Sequence, residues 1–449
     1  MRLLLLTLAA TTAAQSSPQI QLSHTTESLR GVSAVSRQVA WASGTHGTYL
    51  RTVDAGRTWT PAQVPDAASL DFRAVVAFSA DEAFLMSAGP GEQSRIYHTS
   101  DAGQHWQLQF TNSNPKGFFD SMAFWDSKHG VVLGDPIADE TGKLKFELLL
   151  TDDGQTWHPI PPAQLPPALE GEGAFAASNT CIAILHPPAI VQSKNSKTAN
   201  PQQLTAPPVI LSAAVAPAKP EQLRSRRTPT LLTFLSFRQG GLSTQPSRTV
   251  FSNNAGPDAN SASTADPNIW FATGGKTARV FHSPDRGQTW QVFDTPILHG
   301  PDSAGIFSIA FRSALNGVIA GGDYKHPNDD GPNLAFTHDG GKTWDLSTIH
   351  PQAYFSAVAY DRRVDEEARH ARRTAMKAEL KGQRTLSITD FPQRLFLVGD
   401  DFIFDFRPPA NPRRISAANK LHIRFNAISP FPEGGALAVG PNGVIAVVP

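Results

Sequence analysis

One short phrase recurs five times along this chain, and nothing else in the sequence restricts the possible folds so strongly. It reads "RTVDAGRTW" up to Trp59, "HTSDAGQHW" up to Trp106, "LLTDDGQTW" up to Trp157, "FHSPDRGQTW" up to Trp290 and "FTHDGGKTW" up to Trp344. Each copy lies between two short strand-like runs, such as 278–283 and 289–293. A two-stranded ribbon needs a tight turn, and an Asp followed two residues later by Gly supplies one. The carboxylate accepts hydrogen bonds from turn amides, and Gly takes the positive φ that other residues resist. The Trp that opens the return strand offers a large apolar surface to wedge against the next unit. Asp54, Asp101, Asp152, Asp285 and Asp339 therefore read as structural, not catalytic. So do Gly56, Gly103, Gly154, Gly287 and Gly341, with Trp59, Trp106, Trp157, Trp290 and Trp344. In the third copy Leu150 replaces the usual Ser or Thr, so that turn is expected to be less well capped.

Composition agrees with a β architecture. There are 34 Gly and 36 Pro, with many short β-branched or aromatic runs and few helix-favouring ones. Basic and acidic residues balance at 39 each, which argues against nucleic acid or an anionic membrane as the main partner. Cys181 is the single cysteine, so no intramolecular disulfide can form, and its apolar setting reads as that of a small buried hydrophobe. The opening "MRLLLLTLAATTAAQSS" has the charge, apolar run and small residues of a secretory signal peptide, residues 1–14. No later apolar run is long enough for a transmembrane helix, and the mature chain is expected to be secreted or periplasmic.

The phrase Ser/Thr-x-Asp-x-Gly-x-Thr-Trp resembles the Asp-box, or BNR repeat, of sialidase-like β-propellers. That resemblance implies that each box turns between the third and fourth strands of a blade, on the face opposite the usual ligand site. Trp-to-Trp spacings are 47 (59 to 106), 51 (106 to 157), 133 (157 to 290) and 54 (290 to 344). Four-stranded blades take ~40–50 residues, so the long interval holds an insertion. Residues 173–185 read as the inner strand of blade 4 and 268–275 as its second strand. Between them, 186–267 is rich in Pro, Ser and Asn, and reads as a partly disordered excursion. Inner strands are expected at 30–36, 72–78, 119–125, 173–178, 307–311, 354–360 and 425–431. Blade 6 carries a charged, partly helical insertion at 361–391, which reads as a solvated surface element. Blade 7 shows only three strands, and 19–25 is expected to supply the fourth. Residues 15–449 are thus read as one all-β, seven-bladed propeller whose N-terminal strand closes the ring and hides sheet edges. Both insertions fall between first and second strands, so both are expected on the box-bearing face.

The opposite face, the channel mouth, gathers the start of each inner strand and the loops between second and third strands. Aligning inner strands puts Arg30, Arg73, Asp120, Ala174, Phe307, Phe355 and Asn426 at equivalent places. Asn426, Arg30, Arg73 and Asp120 are expected to form a polar arc. Loops add Asp135, Asp400 and the group Asp323, Tyr324, Lys325 and His326. The arginines beside Asp120 fit either a structural salt bridge or recognition of an anion or polar peptide. The acidic 321–333 loop matches no established Ca²⁺ signature. No zinc spacing, nucleophile elbow, phosphate loop or dinucleotide fingerprint occurs, so no catalytic residue, metal or cofactor is expected.

Signal peptide, blade number, single-domain size and the strand phrase "VAWASGTHGTYLRTVDAGRTW" (39–59) resemble the photosystem II stability and assembly factor family of secreted propellers. That resemblance implies a non-catalytic scaffold, here expected to be monomeric, that holds another envelope or secreted protein. The alternative is a sialidase-like glycoside hydrolase. That family's arginine triad, Tyr nucleophile with Glu partner and Asp acid would map only onto Arg30, Arg73 and Tyr324.

Overall fold

A computed structural model describes residues 17–185, 268–348, 351–362, 394–400, 402–406, 413–415 and 423–449. The expected signal peptide, the 186–267 excursion and nearly all of the charged 361–391 insertion lie outside them. Among the described residues no helix is long and apolar enough to cross a membrane.

The described chain forms seven antiparallel sheets arranged as a seven-bladed propeller. Blade 1 runs Leu29–Ala34, Ala40–Gly44, Thr48–Thr52 and Thr60–Gln63, and blade 2 Asp71–Ala77, Ala83–Ala88, Arg95–Thr99 and Gln107–Thr111. Blade 3 is Phe119–Phe124, Gly130–Ala138, Leu144–Thr151 and His158–Pro159, and blade 4 Ile182–Ile184, Ile269–Ala272, Arg279–Ser283 and Gln291–Asp294. Blade 5 is Ala304–Phe311, Gly317–Asp323, Leu334–Thr337 and Asp345–Leu346. The two-residue strands Glu172–Gly173 and Gly274–Gly275 extend its sheet. Blade 6 is Phe355–Tyr360, Leu395–Gly399, Phe402–Phe406 and Arg413–Ile415. Blade 7 has Ala427–Pro430, Ala436–Val439 and Ile445–Val448, and its fourth strand is Gln19–Gln21, pairing antiparallel with Ile445–Val447. The closing N-terminal strand is thus present. The insertions enter where expected, between the first and second strands of blades 4 and 6.

Burial follows from this geometry. Both faces of an inner or second strand are covered by neighbouring blades, so Ala40–Gly44, Ala83–Ala88 and Gly317–Asp323 are buried throughout. Seven apolar clusters result, one at each blade junction, and that ring of junctions is the core. Each box tryptophan packs against the preceding blade, not the following one. Trp59 joins Leu437 and Ile445 of blade 7, Trp106 meets Trp41 and Tyr49 of blade 1, and Trp344 joins Trp270 and Val280 of blade 4. This reverses the expected direction.

Four of the five repeated turns share one hydrogen-bond pattern. In the first, Thr58 N donates to Asp54 Oδ1 at 2.9 Å and Gly56 N donates to Thr52 Oγ1 at 2.9 Å. Asp101, Asp285 and Asp339 repeat the pattern. In these four boxes the residue before the Gly is left-handed too, as at Ala55 (φ 64) and Arg286 (φ 57). In the third box Asp152 does not tie the turn. Asp153 does, accepting Gln155 N at 2.7 Å and Thr156 N at 2.8 Å, while Thr151 Oγ1 takes Gly154 N at 2.9 Å. That turn is one residue shorter and fully capped, so Leu150 costs it nothing. Asp152 points outward to Arg286 at 2.6 Å.

Candidate functional site

An irregularity shared by five blades places the mouth residues. Inner and second strands slip register at Leu29/Gly31, Phe72/Ala74, Phe119/Ser121, Ile306/Ser308 and Phe355/Ala357. The extra residues at these bulges are Arg30, Arg73, Asp120, Phe307 and Ser356. A bulge re-aims a side chain out of the pleat. Register therefore corrects two of the seven aligned positions: blade 6 offers Ser356 instead of Phe355, and in blade 4 Thr180 replaces Ala174. Asn426 holds the place in blade 7 and donates to Leu29 O at 2.7 Å.

Innermost strands leave one edge of backbone groups facing the axis, and buried amides need acceptors. Hydroxyls and an amide from adjoining blades supply them. Ala34 N donates to Ser429 Oγ at 3.0 Å, Ala77 N to Ser33 Oγ at 3.0 Å, Val358 N to Ser308 Oγ at 2.9 Å and Met122 N to Asn179 Oδ1 at 2.6 Å.

Asn179 belongs to a segment that the sequence reading placed inside an inner strand. The inner strand of blade 4 is only Ile182–Ile184, and the seven residues Ala174–Thr180 leave the sheet. They reach blades 2 and 6, two places round the ring in either direction, and so lie across the axis. Ala176 O accepts Arg73 Nη1 of blade 2 at 3.0 Å, and Ser178 Oγ donates to Ser356 O of blade 6 at 2.7 Å. Thr180 Oγ1 donates to Ser308 Oγ of blade 5 at 2.7 Å. At the other end Ala174 N donates to Asp135 Oδ1 of blade 3 at 3.0 Å. Small side chains let the segment fit the ring's narrow centre, and Asn179 adopts the left-handed turn (φ 61) that Asn tolerates. Its root is fixed by Glu172, buried against Arg279, whose Nε donates at 2.9 Å. This axial plug was illegible as such, because "GAFAASNTC" has the alternation of a buried strand.

The two arginines of the expected arc meet at a residue that sequence analysis missed. Asp71 sits between the arginines, with Arg73 Nε at 2.9 Å and Arg30 Nε at 3.6 Å. The structural salt bridge therefore exists, with Asp71 and not Asp120 as partner; the "DFR" spacing was the available signal. Arg30 makes no hydrogen bond among the described residues. Burial lowers the pKa of its guanidinium and nearby Arg73 lowers it further, against the pull of Asp71. Asp120 is 1% exposed, and its Oδ2 has no hydrogen-bond partner among the described residues. Burial pushes its carboxyl well above the ordinary range and Asp135 adds to this, while Arg73 opposes. Burial also raises Asp135, against the hydrogen bond from Ala174 N. Cys181 lies beside this pair as a buried thiol pushed up chiefly by burial.

The far half of the mouth is aromatic. Phe175 of the plug stacks on Phe307 at 3.9 Å between centroids, with Tyr354 edge-on at 4.7 Å and Tyr324 at 6.1 Å. Tyr324 is 46% exposed. Asp323 is buried; hydrogen bonds from His326, Ser303 and the Lys325 amide outweigh that burial and hold it low. His326 Nδ1 lies 2.9 Å from its carboxylate and is raised by that contact. Lys325 itself is exposed. Asp400 pairs with Arg424, which sequence analysis did not single out. Through Phe175 and Ala176 the plug links this aromatic half to the arginine half. Among the described residues no group of three or more His, Cys, Asp or Glu could hold a metal ion.

The family model of the photosynthesis system II assembly factor YCF48 matches residues 9–117. This chain is similar to the YCF48-like propellers. Two solved structures extend the likeness along the chain at the level of fold. One, described as "YCF48 bound to D1 peptide", is 12% identical over 98% of this chain and 99% of that one, with a TM-score of 0.53. The other, YCF48 from Cyanidioschyzon merolae, is 12% identical over 96% of this chain and 98% of its own, at 0.51. No curated protein sequence matches the chain.

Proposed function

We propose that this chain is a secreted or periplasmic, non-catalytic scaffold that holds another envelope or secreted protein on its channel-mouth face. The observation that carries the reading is the composition of that face. A guanidinium with open donors, Arg30, stands on one side of a central plug, and a half-exposed aromatic, Tyr324, stands on the other. Charged and aromatic groups set on rigid strand ends suit a polypeptide better than a small substrate. Similarity to a propeller whose structure is described as bound to a peptide supports the same reading. The hydrolase alternative gains nothing from the geometry. Arg73 is committed to Asp71 and Ala176, and among the described residues no Glu hydrogen-bonds a tyrosine hydroxyl.

The test is capture of partners from an extracytoplasmic extract by the tagged chain. It is set beside the variant Arg30→Ala, Asp71→Asn, Arg73→Ala, which removes the cluster without leaving a bare charge. The wild-type chain should retain a defined protein and the variant should lose it, with Tm shifted by only a few degrees. Equal retention by both would remove the mouth face from the reading. A chain found only in the cytoplasm on fractionation would remove the location.

A further inference from the structure

The aromatic half of the mouth holds two phenol groups that the fold leaves unused. Tyr354 is 8% exposed and stands edge-on to Phe307. Its hydroxyl makes no hydrogen bond among the described residues, yet it is not sealed from solvent. A phenol buried to that degree ordinarily finds a partner. Two contacts fix its place. Its amide N donates to Pro327 O at 2.9 Å, and the next residue, Phe355, pairs with Gly399, which brings Tyr354 alongside Asp400. Tyr324, also edge-on to Phe307, is 46% exposed, and its hydroxyl too has no hydrogen bond among the described residues.

The rings between these phenols are held rigidly. Phe175 lies on Phe307 in a slot that glycines keep open: a Cβ on Gly274 would stand 2.2 Å from Phe175 Cε2, and one on Gly305 2.9 Å. Phe307 is 2% exposed, while Phe175 keeps part of its surface in solvent. A surface fixed in advance loses little entropy when something docks on it.

Charge decides what fits. Asp323 is engaged by His326 and the Lys325 amide, and Asp400 by Arg424. The other charged residues of the blade 5 loop, Lys325, Asp329 and Asp330, are exposed. Beside the rings the site offers two phenol donors and no open carboxylate. An ordinary extended strand would bring amide donors that need acceptors, whereas proline removes the N–H. A polyproline II stretch has flat ring faces and backbone carbonyls left open, and it is ordered before it binds; aromatic-lined grooves hold it for those reasons. We infer that Phe175, Phe307, Tyr324 and Tyr354 form a subsite for a proline-containing, polyproline II segment of the partner, with the two phenols donating to its carbonyls. This rests on the reading of the mouth as a polypeptide-binding face and names the chemistry of the segment bound there.

Selection of short random peptides on the immobilised full-length chain, followed by anisotropy titration of the enriched peptides, tests it. The wild-type chain should enrich proline, and replacing that proline with Ala should weaken binding. Tyr354→Phe keeps the ring and should weaken an enriched peptide about two- to tenfold. Tyr324→Ala should weaken it about tenfold or more. Both variants should keep the wild-type Tm. Proline-free peptides, or affinities that neither variant moves, overturn the subsite. If such peptides are lost instead with the Arg30→Ala, Asp71→Asn, Arg73→Ala variant, the polypeptide-binding face survives and only its proline chemistry falls. Enrichment of nothing also removes the subsite, while capture of a partner by the tagged chain is decided by its own test. Self-association that Tyr324→Ala abolishes would assign the rings to a second copy and overturn the proline-bearing partner.

Discussion

In four boxes the aspartate that ties the turn stands five residues before the tryptophan, as Asp54 does before Trp59; in the third, Asp153 stands four before Trp157. Thr151 and Asp153 together do what Thr52 and Asp54 do, but over a shorter turn that needs only Gly154 at positive φ (70°) instead of two left-handed residues. Turn amides hold the Asp153 carboxyl far below the ordinary carboxylate range. Asp152 keeps only an exposed pairing with Arg286, and such pairs contribute little. Asp153→Ala should therefore lower Tm by several degrees, while Asp152→Ala leaves it within about one degree. Thermal denaturation of the two single variants distinguishes the roles, and the reverse order would return the turn to Asp152. Two adjacent aspartates present the same letters to a spacing rule. Only the count of backbone donors around each one separates them, and that count depends on a turn length the sequence does not display.

At the scale of the element, the unit that repeats is a turn plus an indole laid over the preceding blade. That much was legible, because Asp, Gly and Trp at fixed offsets act locally and their roles depend little on the rest of the chain. The direction of packing was not, since an indole offers the same apolar surface to either neighbouring blade. The plug escaped for a related reason: Ala174–Thr180 is buried and short of bulk, and small residues suit a strand between blades and a loop across an axis equally well. Indole satisfaction varies among the boxes and yields a prediction. Trp59 is 1% exposed and its Nε1 donates to Gln21 Oε1 at 2.9 Å, whereas the buried Nε1 of Trp106 has no partner among the described residues. An unmet buried donor costs about 1–3 kcal/mol. Trp106→Phe gives up ring area but removes that donor, so it should be near neutral. Trp59→Phe gives up ring area and a made bond, and should cost about 1–3 kcal/mol. Chemical denaturation with unchanged m-values checks the pair. Equal losses would mean that ring volume alone decides.

At the scale of the whole molecule, a ring of junctions is only as sound as its last joint. Six junctions are made between blades that follow one another along the chain. The seventh joins blade 7 to blade 1 and is reinforced by three residues, Gln19–Gln21, paired with Ile445, Ala446 and Val447. Gln21 serves twice, as its Nε2 donates to Ala55 O at 2.9 Å in the first box while its Oε1 receives the Trp59 indole. One short strand thus completes a sheet, covers an edge and ties the first box turn to the final blade. Deleting 17–22 should bare the Ile445–Val448 edge, strand the Trp59 Nε1 and open the cluster of Leu29, Trp59, Leu437 and Ile445. The loss should exceed that of Trp59→Phe alone, because the indole donor is lost together with the strand pairing. Unfolding should split into two transitions as the ring loses cooperativity. A companion variant, Gln21→Ala, keeps the strand and removes only its side-chain bonds, and should unfold in a single transition near the Trp59→Phe midpoint. If the deletion instead unfolds in one transition close to wild type, the ring is held by side-chain packing at the seventh junction and the shared strand is dispensable.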